Sequence, residues 1–362
     1  MRVVHVSQPV TGGVAAVVLE LVRAQRDLGW SVVVVCPPGP LADRVRAVGV
    51  DVRTWRAGRH PGLSVAGEAV RLRRLLRDIG ADVVHLHSSK AGMVGRLVVR
   101  GRRPTLFQPH MWSFQSAGGV VSRAARIWER VAARWTHRLV CVSDDELAAG
   151  RAAGVRGSAE VVCNGVDVER FHPGDRAAAR ARLGLPDVPT AVCVGRLVPY
   201  KGQDQLLAAW PLVRAQVPDA RLVLVGDGPM AQRWRAACDD ESVRWWGADD
   251  AVADFYAAAD VVVLPSREEG MALVPLEAMA CGRSVVAFDV SGVRQSVGEA
   301  GAVLPAGDVA GLAEAVAVRL ADPSAADLEG AHGRRRVELL FDRRQVADQV
   351  ATLVDEVLVG AR

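Results

Sequence analysis

Two hydrophobic patterns alternate along the chain. Short valine-rich runs without polar alternation occur at RVVHVS (2–7), SVVVVCP (31–37), ADVVHLH (81–87) and RLVCVS (138–143). A second series follows at TAVCVG (190–195), ARLVLVG (220–226), ADVVVLPS (259–266) and SVVAFD (284–289). A continuous apolar run bounded by Gly, Pro or Asp is the pattern of a strand buried on both faces, as in a parallel sheet. Between the runs, 14–28, 65–79, 121–136, 203–216 and 272–281 place Ala, Leu and Arg at helical spacing. Strand and helix in strict alternation predict an α/β fold of doubly wound sheets.

The two series are separated by RFHPGDRAAARARLGLPDVP (170–189), whose Pro and Gly residues mark a boundary. The expected architecture is therefore a first Rossmann-like domain over 1–170 and a second over 171–341. Ligand would bind in a central cleft between the two. The segment DRRQVADQVATLVDEVLV (342–359) has amphipathic spacing and closes the chain as a helix.

Charge refines this picture. The net charge is only +4, but residues 1–168 hold 24 Lys and Arg against 13 Asp and Glu, and the rest hold 21 against 28. A basic first half suits an anionic partner such as a membrane surface or an acidic acceptor. No zinc, RNA-binding or basic-zipper signature argues for nucleic acid. The six cysteines form no CxxC pair and sit mostly in apolar runs, as buried thiols of a cytosolic protein do. No apolar stretch approaches the ~18 residues of a membrane span, and the first one is too short for a signal peptide. The expected location is the cytoplasm, with peripheral contact at the inner membrane face as the variant that the basic half raises.

Only two of the 45 basic residues are lysines, Lys90 and Lys201. Lys201 lies in GRLVPYKG (Gly195 to Gly202), between a predicted strand and a predicted helix. Main-chain N–H groups at such a junction favour an anion. Arg196 adds a planar fork of donors and Lys201 a compact point charge, a pair suited to a diphosphate. An ordinary solvated loop with two cations fits the spacing equally well.

SREEGMALVPLEAMACG (266–282) carries Glu269 and Glu277 across a strand end, a loop and a helix start. Pro275 fits a first helical turn, which would place Glu277 in that turn, ionised by the main-chain groups around it. A carboxylate so held can accept two ribose hydroxyls, and Glu269 can bind sugar hydroxyls. The N–H groups of Gly270, Met271, Ala272, Leu273 and Val274 lie between them. A capping acid and a surface acid would give the same spacing.

Gly12 and Gly13, between the first strand and first helix, let backbone approach a ligand or simply make a tight turn. His110, in LFQPHMWSF (106–114), follows a strand and could meet a sugar or serve a loop. His5, His85 and His87 are read as packing residues on strands. The helix VSRAARIWERVAARWTHRL (121–139) repeats Arg123, Arg126, Arg130 and Arg134 beside Ile127, Val131 and Trp135. Its apolar stripe is read as facing the core, with an anionic membrane as the other reading. No HExxH or Cys/His cluster argues for a metal, and no GxSxG elbow for a hydrolase.

Together these stretches resemble glycosyltransferase family 4, the retaining nucleotide-sugar transferases of the GT-B fold. The resemblance runs through the Gly12–Gly13 loop, DVVHLHSSKAGMVGR (82–96), PHMWSF (109–114), ERVAARWTHRLVCVS (129–143), VVCNGVDVERF (161–171), GRLVPYKG, LVLVGDGP and the two-glutamate segment ending in EAMACG. It implies that Arg196 and Lys201 clamp the donor diphosphate, that Glu277 binds the ribose, and that Glu269 with the 270–274 backbone holds the sugar. It further implies that His110 contacts that sugar, that Gly12 and Gly13 meet donor phosphates or acceptor, and that VRWWG (243–247), with Trp246, borders the base. Family members need no metal or other cofactor, and their C-terminal helix packs on the first domain. The sequence departs from the family's usual residues at Met271 and Ala272, which leaves the sugar open, and at Ser284 and Gln295, which removes no proposed catalytic group.

The expectation is a retaining transferase that moves a sugar from a nucleoside-diphosphate donor, UDP before GDP, to a hydroxyl of a lipid-linked or cell-envelope glycan. A soluble metabolite is the alternative acceptor. A nucleotide-sugar epimerase and a non-catalytic nucleotide-sugar binder are the alternatives of another class.

Overall fold

A computed structural model of the chain describes residues 1–58, 62–115 and 118–360. The chain forms two compact units, Met1–Gly165 with the C-terminal segment from Arg343, and Val166–Asp342.

The first unit is built on a seven-stranded parallel sheet: β1 (Arg2–Ser7), β2 (Ser31–Cys36), β3 (Asp51–Thr54), β4 (Val83–His87), β5 (Thr105–Gln108), β6 (Arg138–Cys141) and β7 (Ala159–Val161). Their spatial order is β3-β2-β1-β4-β5-β6-β7. The chain runs outward from β1 in both directions, so the order reverses between β1 and β4. In a doubly wound sheet that switch point is where connections part and leave room for a ligand. Val3, Val4, Val6, Val83, Val84 and Leu86 on these two strands are buried. One face packs on the helix Gly12–Asp27 through Val18 and Val22, the other on the helices Val65–Ile79 and Ser88–Val99 through Leu72, Leu76, Ala91 and Val94. The C-terminal helix Arg343–Val359 belongs to this unit, and the ion pair Arg343–Glu20 at 2.5 Å ties it to the first helix.

The second unit repeats the plan with six parallel strands: β8 (Thr190–Val194), β9 (Arg221–Val225), β10 (Val243–Gly247), β11 (Val261–Leu264), β12 (Ser284–Phe288) and β13 (Gly301–Leu304). Their order is β10-β9-β8-β11-β12-β13, with the switch between β8 and β11. The two units are thus the two doubly wound domains expected of the GT-B fold.

One expectation is overturned. The helix Gly119–Ala132 does not turn its apolar stripe to the core: Ile127 is 60% exposed and Val131 40%. The buried side carries Glu129 and Ala132 instead. Glu129 accepts a bond from the buried Arg96 at 2.7 Å, and the Arg96 guanidinium lies 3.8 Å from the Phe107 ring centre. A buried guanidinium needs a carboxylate partner, since either charge alone would be costly to desolvate. That requirement decides which face of the helix turns inward.

Candidate functional site

In the second unit, the loops after β8 and β11 meet on the C-terminal side of the switch point. The turn after β8 is held there by two backbone approaches that only glycine permits. A Cβ on Gly202, at φ +71°, would lie 1.8 Å from the Pro265 carbonyl oxygen. A Cβ on Gly226, at φ +145°, would lie 2.0 Å from that of Gly195. Gly202 therefore seats the 195–202 loop directly on the end of β11.

The consequence is an ion pair. Lys201 Nζ donates to Glu269 Oε1 at 2.6 Å, and Ser266 Oγ donates to the same oxygen at 2.7 Å. Both bonds use Oε1, so Oε2 keeps its lone pairs for a further donor. An ammonium has three donors, and one of those on Lys201 is spent on Glu269. Burial pulls the Lys201 pKa down, but the Glu269 charge outweighs it and the net shift is upward, which secures the cation. Arg196 is exposed, and its guanidinium has no partner among the described residues. Gly195 sits at the root of this loop.

Glu277 does not lie in a first helical turn. The helix runs Leu273–Ala280, so Pro275 is its third residue and Glu277 its fifth, at the start of the second turn. Proline is tolerated throughout a first turn because those N–H groups have no intrahelical partner, so Pro275 did not fix the start. The Glu277 carboxyl is pushed up by burial, against a hydrogen bond from Tyr256 and the charges of Arg170 and Lys201. Tyr256 Oη donates to Glu277 Oε2 at 2.7 Å, leaving Oε1 as an acceptor. Gly270, Met271 and Ala272 are buried between the two glutamates, while Leu273 and Val274 are partly exposed.

Trp246 is joined to this group through one helix, Val252–Ala258. Phe255 meets the Trp246 ring edge-on at 4.8 Å, and the next residue, Tyr256, holds Glu277. The Arg244 guanidinium lies 4.4 Å over the same indole. Arg196, Lys201, Glu269, the 270–274 backbone, Glu277 and Trp246 thus share one side of the second unit. Tyr256 and Ser266 were not foreseen; neither belongs to a spacing pattern, and only the fold brings them to the glutamates.

The first unit holds the other predicted residues. Gly12 and Gly13 open the first helix and are exposed, and the side chain of Thr11 before them makes no capping hydrogen bond. His110 follows β5 with φ +58°, and Met111 has φ +143°, both in the left-handed region that costs a non-glycine residue on the order of 1–3 kcal/mol. Glu146 supports this turn: its carboxyl accepts the Val142 N–H at 2.7 Å, and its backbone carbonyl accepts the indole N–H of the neighbouring Trp112 at 2.7 Å. Burial raises the Glu146 pKa to about 7.

His5, His85 and His87 are not separate packing residues. In-register pairing of β1 with β4 sets His5 beside His85, and the HxH spacing puts His87 on the same face. The three are fully buried, with His85 and His87 ring centres 4.0 Å apart and His87 5.5 Å from His110. Burial lowers the pKa of His5 to about 4 and of His110 to about 3, and takes His85 and His87 well below the usual value. All four are neutral at pH 7. The signal was in the sequence, as histidines at matching positions of two central strands.

Comparison with known proteins follows this geometry. The family model Glycosyltransferase Family 4 matches residues 11–170, and Glycosyl transferases group 1 matches 188–322. A D-inositol 3-phosphate glycosyltransferase of Kribbella flavida is 33% identical over 88% of this chain and 85% of its own length. A GDP-mannose-dependent alpha-(1-6)-phosphatidylinositol monomannoside mannosyltransferase of Mycolicibacterium smegmatis is 39% identical over 54% of this chain. The chain spans only 59% of that relative's length. Among solved structures, a sucrose-phosphate synthase of Thermosynechococcus elongatus aligns over 99% of both chains with a TM-score of 0.85 and 26% identity. Anabaena HepE, solved with UDP and glucose, aligns over 98% of this chain and 99% of its own with a TM-score of 0.86 and 21% identity, a likeness of fold. With both units matched in order and a relative of this similarity over most of its length, the chain belongs to glycosyltransferase family 4.

Proposed function

We propose that this protein transfers a sugar, with retention at the anomeric carbon, from a nucleoside-diphosphate sugar to a hydroxyl acceptor. The observation that carries this is the convergence of two cations and two carboxylates at one switch point. Arg196 and two remaining donors of Lys201 would meet an anion, while Glu269 Oε2 and Glu277 Oε1 would accept from hydroxyls. A nucleoside-diphosphate sugar offers that combination. As the glycosidic bond to the diphosphate breaks, negative charge grows on the leaving phosphate, and Arg196 and Lys201 would stabilise it. The departing phosphate oxygen takes the acceptor proton on the same face, so no carboxylate base is required. The cations of the protein itself supply the charge that a metal would otherwise bring.

The sequence reading ranked UDP before GDP. Relatives at 38–39% identity are named for GDP-mannose, and they weight the proposed donor toward GDP-mannose. For the acceptor we propose a lipid-linked polyol or glycan. Two relatives are named for phosphatidylinositol mannosides, and the helix Gly119–Ala132 presents Val120, Val121, Ile127 and Val131 to solvent beside Arg123 and Arg130. An exposed apolar stripe with flanking arginines suits the interface of an anionic membrane. The protein would then work in the cytoplasm, bound peripherally to the membrane. Incubation with radiolabelled GDP-mannose, UDP-glucose or UDP-N-acetylglucosamine and a phosphatidylinositol or soluble inositol phosphate acceptor tests this. Label from one donor should enter the lipid; release of nucleotide with no labelled product under any pairing contradicts the reading.

A further inference from the structure

The buried histidines of the first unit form a row with one open end. Gln25 Oε1 lies 2.8 Å from His5 Nε2, His5 Nδ1 lies 2.9 Å from His87 Nε2, and His87 Nδ1 lies 3.2 Å from His110 Nε2. Gln25, His5 and His87 are fully buried, whereas His110 is partly exposed. Each inner ring spends both nitrogens, one on each neighbour. A neutral imidazole has one N–H and one lone pair, so the direction of the first bond sets every bond after it.

We propose that Gln25, His5 and His87 are positioning residues that fix the tautomer of His110, so that it offers an unprotonated Nδ1 to a substrate hydroxyl. The Gln25 carbonyl oxygen can only accept, so His5 carries its proton on Nε2 and has a lone pair on Nδ1. His87 must then donate from Nε2, which leaves its Nδ1 to accept from His110 Nε2–H. The sole nitrogen left over in the row is His110 Nδ1, at the exposed end and without a proton. It recognises a hydrogen-bond donor, the chemistry of a sugar or polyol hydroxyl, and rejects an acceptor such as a phosphate oxygen. Protonating His5 or His87 would set two N–H groups against each other inside the buried row, whereas a proton on His110 Nδ1 meets no such clash and is opposed by burial alone. No charged side chain hydrogen-bonds to a member among the described residues, so nothing there would compensate a cation. The left-handed backbone at His110 and Met111, braced by Glu146 through the neighbouring Trp112, aims the ring at His87.

His5, His85 and His87 are also close enough to suggest a metal cage. The row argues against one. Two imidazole nitrogens on a tetrahedral zinc at ~2.1 Å stand about 3.4 Å apart, and the 2.9 Å between His5 and His87 is a hydrogen-bond length. No carboxylate belongs to the group to offset a dication.

The experiment is two-bond 1H–15N correlation of the full-length protein with 15N-labelled histidine, without substrate, between pH 6 and 8. It rests on the transferase reading only for the role of the hydroxyl; the tautomer is read without it, and nucleotide binding by the second unit tests that reading separately. Signals of His5, His87 and His110 are assigned by single His→Asn variants. The expected spectrum shows all three neutral with the proton on Nε2. Gln25→Glu, still an acceptor, keeps that pattern. Gln25→Leu lets His110 populate both tautomers and lowers kcat by about tenfold, the low end of what outer partners of a working imidazole cost, with KM for the donor within twofold. Should Gln25→Leu not fold, the wild-type and Gln25→Glu spectra still decide. A proton on His110 Nδ1, a cationic His110 at pH 6.5, or signals of a ring-bound metal that survive purification and vanish on chelation would each overturn the proposal.

Discussion

Lys201 Nζ and Glu269 Oε1 lie 2.6 Å apart, joined across the switch point of the second sheet. The other lysine of the chain is similarly paired, Lys90 with Glu68 at 2.8 Å, but with both side chains buried. Lys201 differs in that it remains partly exposed and keeps two donors. Arginine at 201 would carry its charge on a broader fork, matched to bind Glu269 with two bonds. The Lys201→Arg variant should therefore fold normally yet bind the donor about tenfold more weakly, as measured by nucleotide titration.

Gly202 is the hinge of that arrangement. Gly202→Ala would force its Cβ into the Pro265 carbonyl. Urea unfolding should show a loss of about 2–4 kcal/mol, the range for backbone clash combined with a left-handed φ. Gly12→Ala has the same φ problem but open space around its Cβ, so its cost should be near 1 kcal/mol.

Glu277 gives a pH dependence. Its folded pKa is raised, and under the proposed function its carboxylate form would accept the ribose hydroxyls. Nucleotide affinity should therefore fall as pH drops, beginning at higher pH than an ordinary carboxylate would allow. Tyr256→Phe removes the bond that opposes this shift, so the fall should begin at higher pH in that variant than in the wild type. An unchanged affinity profile in Tyr256→Phe would exclude Glu277 from the site.

The histidine row makes the first unit acid-sensitive. A histidine whose folded pKa lies below its unfolded one binds fewer protons when folded, so stability rises with pH and is lost as pH falls. For His5 the window runs from about 6.5 down to about 4, worth on the order of 3 kcal/mol. Glu146 acts oppositely: its raised pKa, about 7 against an ordinary 4.5, makes its contribution fall as pH rises through that interval. His5, His85, His87 and His110 outnumber it, so unfolding at pH 5 should need less urea than at pH 7. The difference should shrink in His5→Gln.

The helix Gly119–Ala132 should carry membrane affinity. Ile127 and Val131 are exposed, so Ile127→Ser with Val131→Ser should leave the melting temperature within a few degrees while reducing sedimentation with phosphatidylglycerol vesicles. Equal sedimentation of the double variant would place any lipid contact elsewhere.

What the sequence revealed follows from burial. The eight valine-rich runs all became strands, because a strand covered on both faces must be apolar throughout. The edge strands β3, β7, β10 and β13 are partly solvated, and DVRT and AEV carry no such pattern. The convergence of Lys201 with Glu269 was legible in part because loops after strands carry unusual residues in short order, as GRLVPYKG does. Tyr256 was not, since an apolar-looking helix position becomes a ligand partner only once the helix is packed. The inward turn of Glu129 was hidden for the same reason: its Arg96 partner lies 33 residues away.

The central claim is the diphosphate clamp, and calorimetric titration with GDP and UDP tests it most directly. One nucleotide should bind the wild-type protein, and Arg196→Ala and Lys201→Ala should each weaken it by about 10–100-fold, as lost charge-assisted hydrogen bonds do. A nucleotide that binds both variants as tightly as wild type would contradict the account and place the donor elsewhere.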